Sequence, residues 1–297
     1  GKWGSYRHLK LQEVSETKSR TGHYFANCVI KGDLSTLRWL YGPLNVGKLT
    51  REHVRIQYAS LNFRDVMLAT GKINSDDVLN RIQQQCIMGF EFSGVTDKGR
   101  KVMGLGPTGA MATHYDLSQT LLWDVPDNWT LEEAATVPLV YYTVYLAFFV
   151  ESKIESGKSI LIHAGTGGVG LAAIQVAFAY GLEVYTTCST EEKKKFLLER
   201  FPQLNPKHIG NSRDTTFEKM IRVGTKGLGV DFVLNSLSED KLQASIRCLA
   251  MNGTFLEIGK YDIMNKTKFD MGHFARRINF RAVFFDDLPI DADEIKV

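Results

Sequence analysis

The sequence predicts an α/β chain in two parts, a β-rich domain followed by a doubly wound parallel sheet, on three observations. Between Phe25 and Gly109, short alternating runs such as Val54-Arg55-Ile56-Gln57-Tyr58 are broken by Gly, Asn and Asp clusters, the pattern of an antiparallel, barrel-like region. From Lys158 onward, apolar runs of strand length alternate with helical stretches, which implies a parallel sheet covered on both faces. The first of those runs ends in a glycine cluster. A chain of 297 residues has room for two domains. With 44% hydrophobic and 23% charged residues it falls outside the collagen-like, coiled-coil and disordered classes.

Charge and cysteine usage narrow the setting. The 36 Lys and Arg against 33 Asp and Glu leave a net charge of +3, with no footprint for nucleic acid. The four cysteines, Cys28, Cys86, Cys188 and Cys248, form no CxxC pair, so neither a zinc knuckle nor a disulfide framework is expected and a reducing cytoplasmic location fits. No charged-then-apolar signal segment follows Gly1, and a start without Met is what an excerpt of a longer protein would show. The uncharged stretch Ala134 to Val150 is seventeen residues long. At about 1.5 Å per residue it falls short of a hydrocarbon core of about 30 Å. With Pro138 near its start it reads as a buried helix and not as a membrane span.

In order along the chain, Gly1 to Tyr24 is polar and aperiodic and reads as a leader from a preceding module. The β-rich domain follows. Ser159 to Ala164 is a buried strand, then come the glycine cluster, a helix to Tyr180, a C-cap at Gly181 and a second strand from Leu182. Beyond these the pattern gives a charged helix at Glu191 to Arg200, a helix near Thr215 to Arg222 and a strand at Val230 to Asn235. A helix at Glu239 to Ala250, a strand at Thr254 to Ile258 and a last strand at Asn279 to Phe285 complete it.

The cluster Gly165-Thr166-Gly167-Gly168-Val169-Gly170 contains G-x-G-x-x-G directly after a buried strand and at the start of a helix. That context makes it a dinucleotide-binding loop of the Rossmann type, with glycines allowing the tight turn and free N–H groups facing a pyrophosphate. A free ribose 2′-hydroxyl is normally met by Asp or Glu about 20 residues on. Here the second strand runs instead into Ser189, Thr190 and a Lys193-Lys194-Lys195 run, hydroxyl and ammonium groups suited to a 2′-phosphate. NADPH is therefore expected over NADH, with Ser189, Lys193 and Lys194 as the contacts.

These residues, with Tyr58 to Asp65, Met67 to Lys72, Gly89 to Gly94, Asn128 to Ala135, Asn211 to Thr215, Val233 to Leu237 and Phe255 to Lys260, resemble the medium-chain dehydrogenase/reductase superfamily. Within it they look most like the enoyl reductase region of animal-type fatty acid synthase. The resemblance implies a GroES-like substrate domain over 25–140 that resumes, incomplete, from about 284–297, and a Rossmann NADPH domain over 141–283. It implies reduction of a 2-enoyl thioester carried on an acyl carrier protein's phosphopantetheine, among the other domains of a synthase and with a homodimer in the parent. Phe90 stands where the zinc-binding relatives carry His, so no metal is expected. Lys260 and Asp286 match the proposed proton donors. Asn235, Ser236, Leu237, Gly259, Thr143 and Asn62 match positions around the cofactor. The alternatives are the enoyl reductase of a polyketide synthase, a free-standing quinone reductase, and a nucleotide-binding module without turnover.

Overall fold

The computed structural model describes residues 22–49, 51–72, 88–268 and 270–284. The leader up to residue 21, Cys86, the last residue of the expected strand at Asn279 to Phe285, Asp286 and the expected return to the substrate domain over 285–297 lie outside the described residues. The chain divides into two compact units between Ala135 and Thr136.

The first unit is mostly β. Strands β1 (Tyr24–Cys28) and β2 (Leu37–Tyr41) pair antiparallel. The strands β3 (His53–Ala59), β4 (Glu91–Thr96), β5 (Lys101–Leu105), β6 (His114–Asp116) and β7 (Leu121–Asp124) form an antiparallel sheet in the order β6-β3-β4-β5-β7. Its core holds Val54, Phe92, Val102 and Ala110. Two short helices, α1 (Phe63–Ala69) and α2 (Leu131–Ala134), complete the unit.

The second unit is a six-stranded parallel sheet. It is built from α3 (Pro138–Tyr145), β8 (Ser159–Ile162), α4 (Gly168–Ala179), β9 (Glu183–Cys188), α5 (Glu191–Arg200), β10 (Ile209–Asn211), α6 (Phe217–Gly224), β11 (Val230–Asn235), α7 (Asp240–Arg247), β12 (Leu249–Glu257), α8 (Tyr261–Met264) and β13 (Asn279–Ala282). The strand order β10-β9-β8-β11-β12-β13 reverses direction at β8, the doubly wound arrangement. Two cores flank the sheet. One gathers Phe148, Ile160, Ile174 and Leu197, the other Leu161, Tyr185, Phe217 and Phe255. Helix α4 is apolar on nearly every side, as a helix packed on both faces must be, with Ala172, Ala173, Ile174 and Ala177 buried. It ends in a Schellman motif at Gly181 (φ +73°): Leu182 N–H reaches Ala177 O at 2.9 Å and Gly181 N–H reaches Phe178 O at 3.0 Å.

The stretch Leu131–Val150 is by length and composition apolar enough to cross a bilayer. Its helix breaks after Ala134, and α3 with the turn that follows it sets Val144, Ala147 and Phe148 into the first of these cores.

One expected element is corrected. The helix over Glu239 to Ala250 stops at Arg247, and the residues from Leu249 onward are strand β12. Leu249 pairs with Val230 in the parallel ladder, so tertiary pairing overrides the helical propensity of Leu249-Ala250-Met251. The three-residue edge strand β10 is too short to show a period.

Candidate active site

The C-terminal ends of the parallel strands lie along one edge of the sheet, where open α/β sheets bind ligands. The chain leaves β8 through His163 and Ala164, whose φ of +51° is unusual for a residue with a side chain. The glycine loop follows. A Cβ on Gly165 would lie 2.2 Å from Thr186 Oγ1, and one on Gly170 would lie 2.3 Å from Ala164 O and 2.8 Å from Gly165 Cα. Gly165 thus lets the turn close against β9, and Gly170 lets α4 approach the strand. Gly167 and Gly168 are exposed at the N-terminus of α4, with Thr166 and Val169 half-buried beside them. The Gly167 N–H is taken by Ala164 O at 2.8 Å, so a pyrophosphate in this cradle would meet the N–H groups that open α4, from Gly168 onward, and the positive end of the helix dipole.

The other expected cofactor residues follow the same edge. Ser189 is half-buried just past β9, whose Thr187 O accepts the Gly165 N–H at 2.8 Å. Thr190 caps α5 by accepting the Lys193 N–H at 3.3 Å. Lys195 reaches Glu199 at 3.7 Å, whereas neither Lys193 nor Lys194 has an ion pair among the described residues. Asn235 closes β11 fully buried, Ser236 after it is exposed and Leu237 half-buried. Past β12, a Cβ on Gly259 would come 3.9 Å from Ser236 C, so the two loops are neighbours. Lys260 is half-buried, with its Nζ 5.0 Å above the Phe284 ring.

Thr143 and Asn62 lie on other elements. Thr143 lies in α3 and donates its hydroxyl to Leu139 O at 2.8 Å, which leaves its oxygen as an acceptor. Asn62 belongs to the other unit. It precedes α1, where the buried Asp65 carboxylate accepts its N–H at 2.9 Å, and its side-chain amide donates to Glu91 Oε1 at 3.0 Å.

His163 was not legible as a site residue. It is buried between strands and helix, with Nδ1 3.0 Å from Thr187 Oγ1 and Nε2 2.8 Å from Ser245 Oγ. The partners assign its tautomer. Ser245 donates to Lys241 O at 2.6 Å, so its oxygen accepts from Nε2–H. Thr187 Oγ1 accepts the Ala164 N–H at 3.3 Å and donates to Nδ1. This chain of hydrogen bonds anchors the start of the glycine loop to β9 and α7.

Burial pushes the His163 pKa down from 6.5 to about 3. The folded chain keeps the ring neutral while the unfolded chain protonates it near 6.5. Stability is therefore level above that pH and falls as the pH drops toward 3, by about 1.4 kcal/mol per unit from this group. Urea unfolding between pH 7 and 5 should show this slope reduced by about that amount in His163→Gln. An unchanged slope would place the proton uptake elsewhere, for instance at His23, which burial also lowers, to about 4.

The described residues offer no set of ligands that fits a zinc ion. Among the described residues no three His, Cys, Asp or Glu side chains come together as ligands. Phe90 is buried, with the Arg64 guanidinium 4.7 Å from its ring centroid.

The zinc-binding dehydrogenase family profile matches residues 168–294. A highly reducing polyketide synthase of Didymella fabae is 40% identical over 248 residues, 80% of this chain, of which this chain spans 12%. The lovastatin diketide synthase lovF of Aspergillus terreus (strain NIH 2624 / FGSC A1156) is 37% identical over 256 residues, 81% of this chain and 10% of that protein. These relatives are polyketide synthases and not the animal-type fatty acid synthase that the motifs suggested; the matched blocks build the glycine loop and the strand ends and carry no record of the product. Among solved structures, the CurK enoyl reductase superposes with a TM-score of 0.73 at 28% identity, covering 92% of this chain and 82% of that one. The JamJ enoyl reductase (apo form) superposes at 0.70 with 30% identity, covering 88% and 80%. On the strength of that identity and coverage, the chain belongs to the enoyl reductases of the medium-chain dehydrogenase/reductase superfamily.

Proposed function

We propose that this chain carries out the NADPH-dependent reduction of 2-enoyl thioesters within a multidomain polyketide synthase, its substrate presented on the phosphopantetheine arm of an acyl carrier protein. The observation that carries the reading is the placement of the glycine cradle and Lys260 on one edge of one parallel sheet. When bound, NADPH supplies the hydride for the β carbon of the enoyl group. The protein must then stabilise the enolate oxygen as charge develops and deliver a proton to the α carbon. The N–H groups of Gly168 and Val169 at the start of α4 hold the pyrophosphate, with Gly167 letting it approach, Ser189, Lys193 and Lys194 meet the 2′-phosphate, and Lys260 is the proton donor on the described part of the edge. The Thr143 hydroxyl oxygen and the Asn235 to Leu237 loop orient the nicotinamide end. The polyketide setting rests on the relatives, each of which is far longer than this chain.

Cofactor preference tests the reading directly. Titration by nicotinamide fluorescence should show NADPH bound far more tightly than NADH. Lys193→Ala removes one charge-assisted contact worth about 1.5 to 3 kcal/mol, so NADPH affinity should fall by roughly 10- to 100-fold with NADH affinity unchanged. Equal affinities in the parent protein, or an unmoved preference in the variant, would dismiss the phosphate pocket.

A further inference from the structure

Glu257 closes β12 with its side chain only 1% exposed. Both of its carboxyl oxygens are engaged: Oε1 accepts the Gly259 N–H at 2.6 Å and Oε2 accepts Asn235 Nδ2 at 2.6 Å. Asn235 Nδ2 also reaches Leu237 O at 2.8 Å, and its Oδ1 accepts the Leu237 N–H at 3.2 Å. One side chain thus joins the loop after β11 to the turn after β12. A Cβ on Gly259 would come 2.7 Å from Glu257 Oε1, so the turn is shaped around this carboxyl.

Holding an acid here is unfavourable. Burial, with the nearby Asp262 adding to it, pushes the Glu257 carboxyl pKa up, against the two hydrogen bonds that its oxygens accept and that favour the ionised form. An apolar residue could not accept these two donors, and what the carboxylate ties together is the site: the Lys260 turn begins directly after Gly259, and Asn235 to Leu237 is the loop assigned to the cofactor.

We infer that Glu257 is a positioning residue for the reduction, holding the Lys260 turn and the Asn235 to Leu237 loop in fixed relation so that proton donor and nicotinamide meet the substrate together. This rests on the assignment of Lys260 made under the proposed function. In a glutamine at this position one oxygen becomes an NH₂ facing an N–H donor, so one of the two ties is lost while the volume stays the same. An aspartate keeps two acceptor oxygens set one methylene back.

The test uses the full-length synthase, with kcat and NADPH KM for reduction of a crotonyl thioester measured beside thermal unfolding. Glu257→Gln should lower kcat by 10- to 100-fold in enzyme that remains folded, and Glu257→Asp should recover part of the loss. The double variant Glu257→Gln/Lys260→Ala should be slower than Lys260→Ala by less than the full factor seen in Glu257→Gln alone, because part of the glutamate's effect runs through the lysine. If Lys260→Ala is slow while all Glu257 variants keep parental kcat per folded enzyme, the positioning role is overturned and the proton-donor assignment stands. If Lys260→Ala keeps parental kcat, the proton-donor assignment itself falls and takes the inference with it. Should Glu257→Gln fail to fold, the Asp variant decides alone: parental kcat with a lowered unfolding temperature overturns the role, and reduced kcat supports it.

Discussion

Gly170→Ala is expected to abolish measurable NADPH binding and to destabilise the fold, whereas Gly167→Ala should lose the cofactor and keep its stability. The two glycines occupy one loop but meet different surroundings. At Gly170 the added methyl would lie 2.3 Å from Ala164 O, 2.8 Å from Gly165 Cα and 3.0 Å from Ala164 C, all backbone atoms that no rotamer change can clear. Helix α4 would have to move off the strand, an overpacking cost of about 1 to 3 kcal/mol or more that also tilts the helix N-terminus away from the phosphates. At Gly167 the same methyl meets only Ala164 O at 3.3 Å and otherwise points outward, into the space where the pyrophosphate must approach the backbone. Losing two charge-assisted N–H contacts of about 1.5 to 3 kcal/mol each corresponds to a fall in affinity of roughly 100-fold or more. Fluorescence titration and thermal unfolding of the two variants separate the roles. Near-parental NADPH affinity in Gly167→Ala would mean that the phosphates do not sit on this loop.

The glycine loop is legible in the sequence because it is local: strand, loop and helix follow one another directly between Ser159 and Ala179. The same holds for α5, where Thr190 and the acidic Glu191 and Glu192 mark a helix start, and for β11, whose apolar run is bounded on both sides. Features made by strand register are not legible in that way. Asn235 and Glu257 are 22 residues apart, yet they are partners at the ends of adjacent parallel strands. His163 meets Thr187 and Ser245, 24 and 82 residues away. A signal exists all the same: each of Asn235, Glu257 and His163 is a polar residue at the end of an apolar strand, and aligning the strands by their C-terminal ends brings the first two together. The boundary between α7 and β12 is hidden for the opposite reason. Its residues favour helix locally, and only pairing with Val230 makes them strand.

Lys260→Ala and Asp286→Ala, made singly in the full-length synthase, are each expected to leave slow but measurable reduction, and the pair together to remove it. Hydride transfer alone leaves an enolate, so some group must stabilise the oxygen and some acid must protonate the α carbon. Lys260 is placed for this at the edge of the sheet that carries the cofactor loop, immediately after the Gly259 that Glu257 holds. Its ammonium lies 5.0 Å over the ring of Phe284, the last described residue. We therefore propose that the two residues share the work. A general acid typically contributes about 10²- to 10⁴-fold, and water entering the space of a truncated side chain replaces part of one such contribution but not of two. Turnover should be compared at saturating NADPH, with cofactor affinity measured separately. Near-parental turnover in the double variant would make both residues structural. A Lys260→Ala variant that loses only NADPH affinity would reassign the lysine to holding the cofactor, and the proton would then have to come from a group outside this edge.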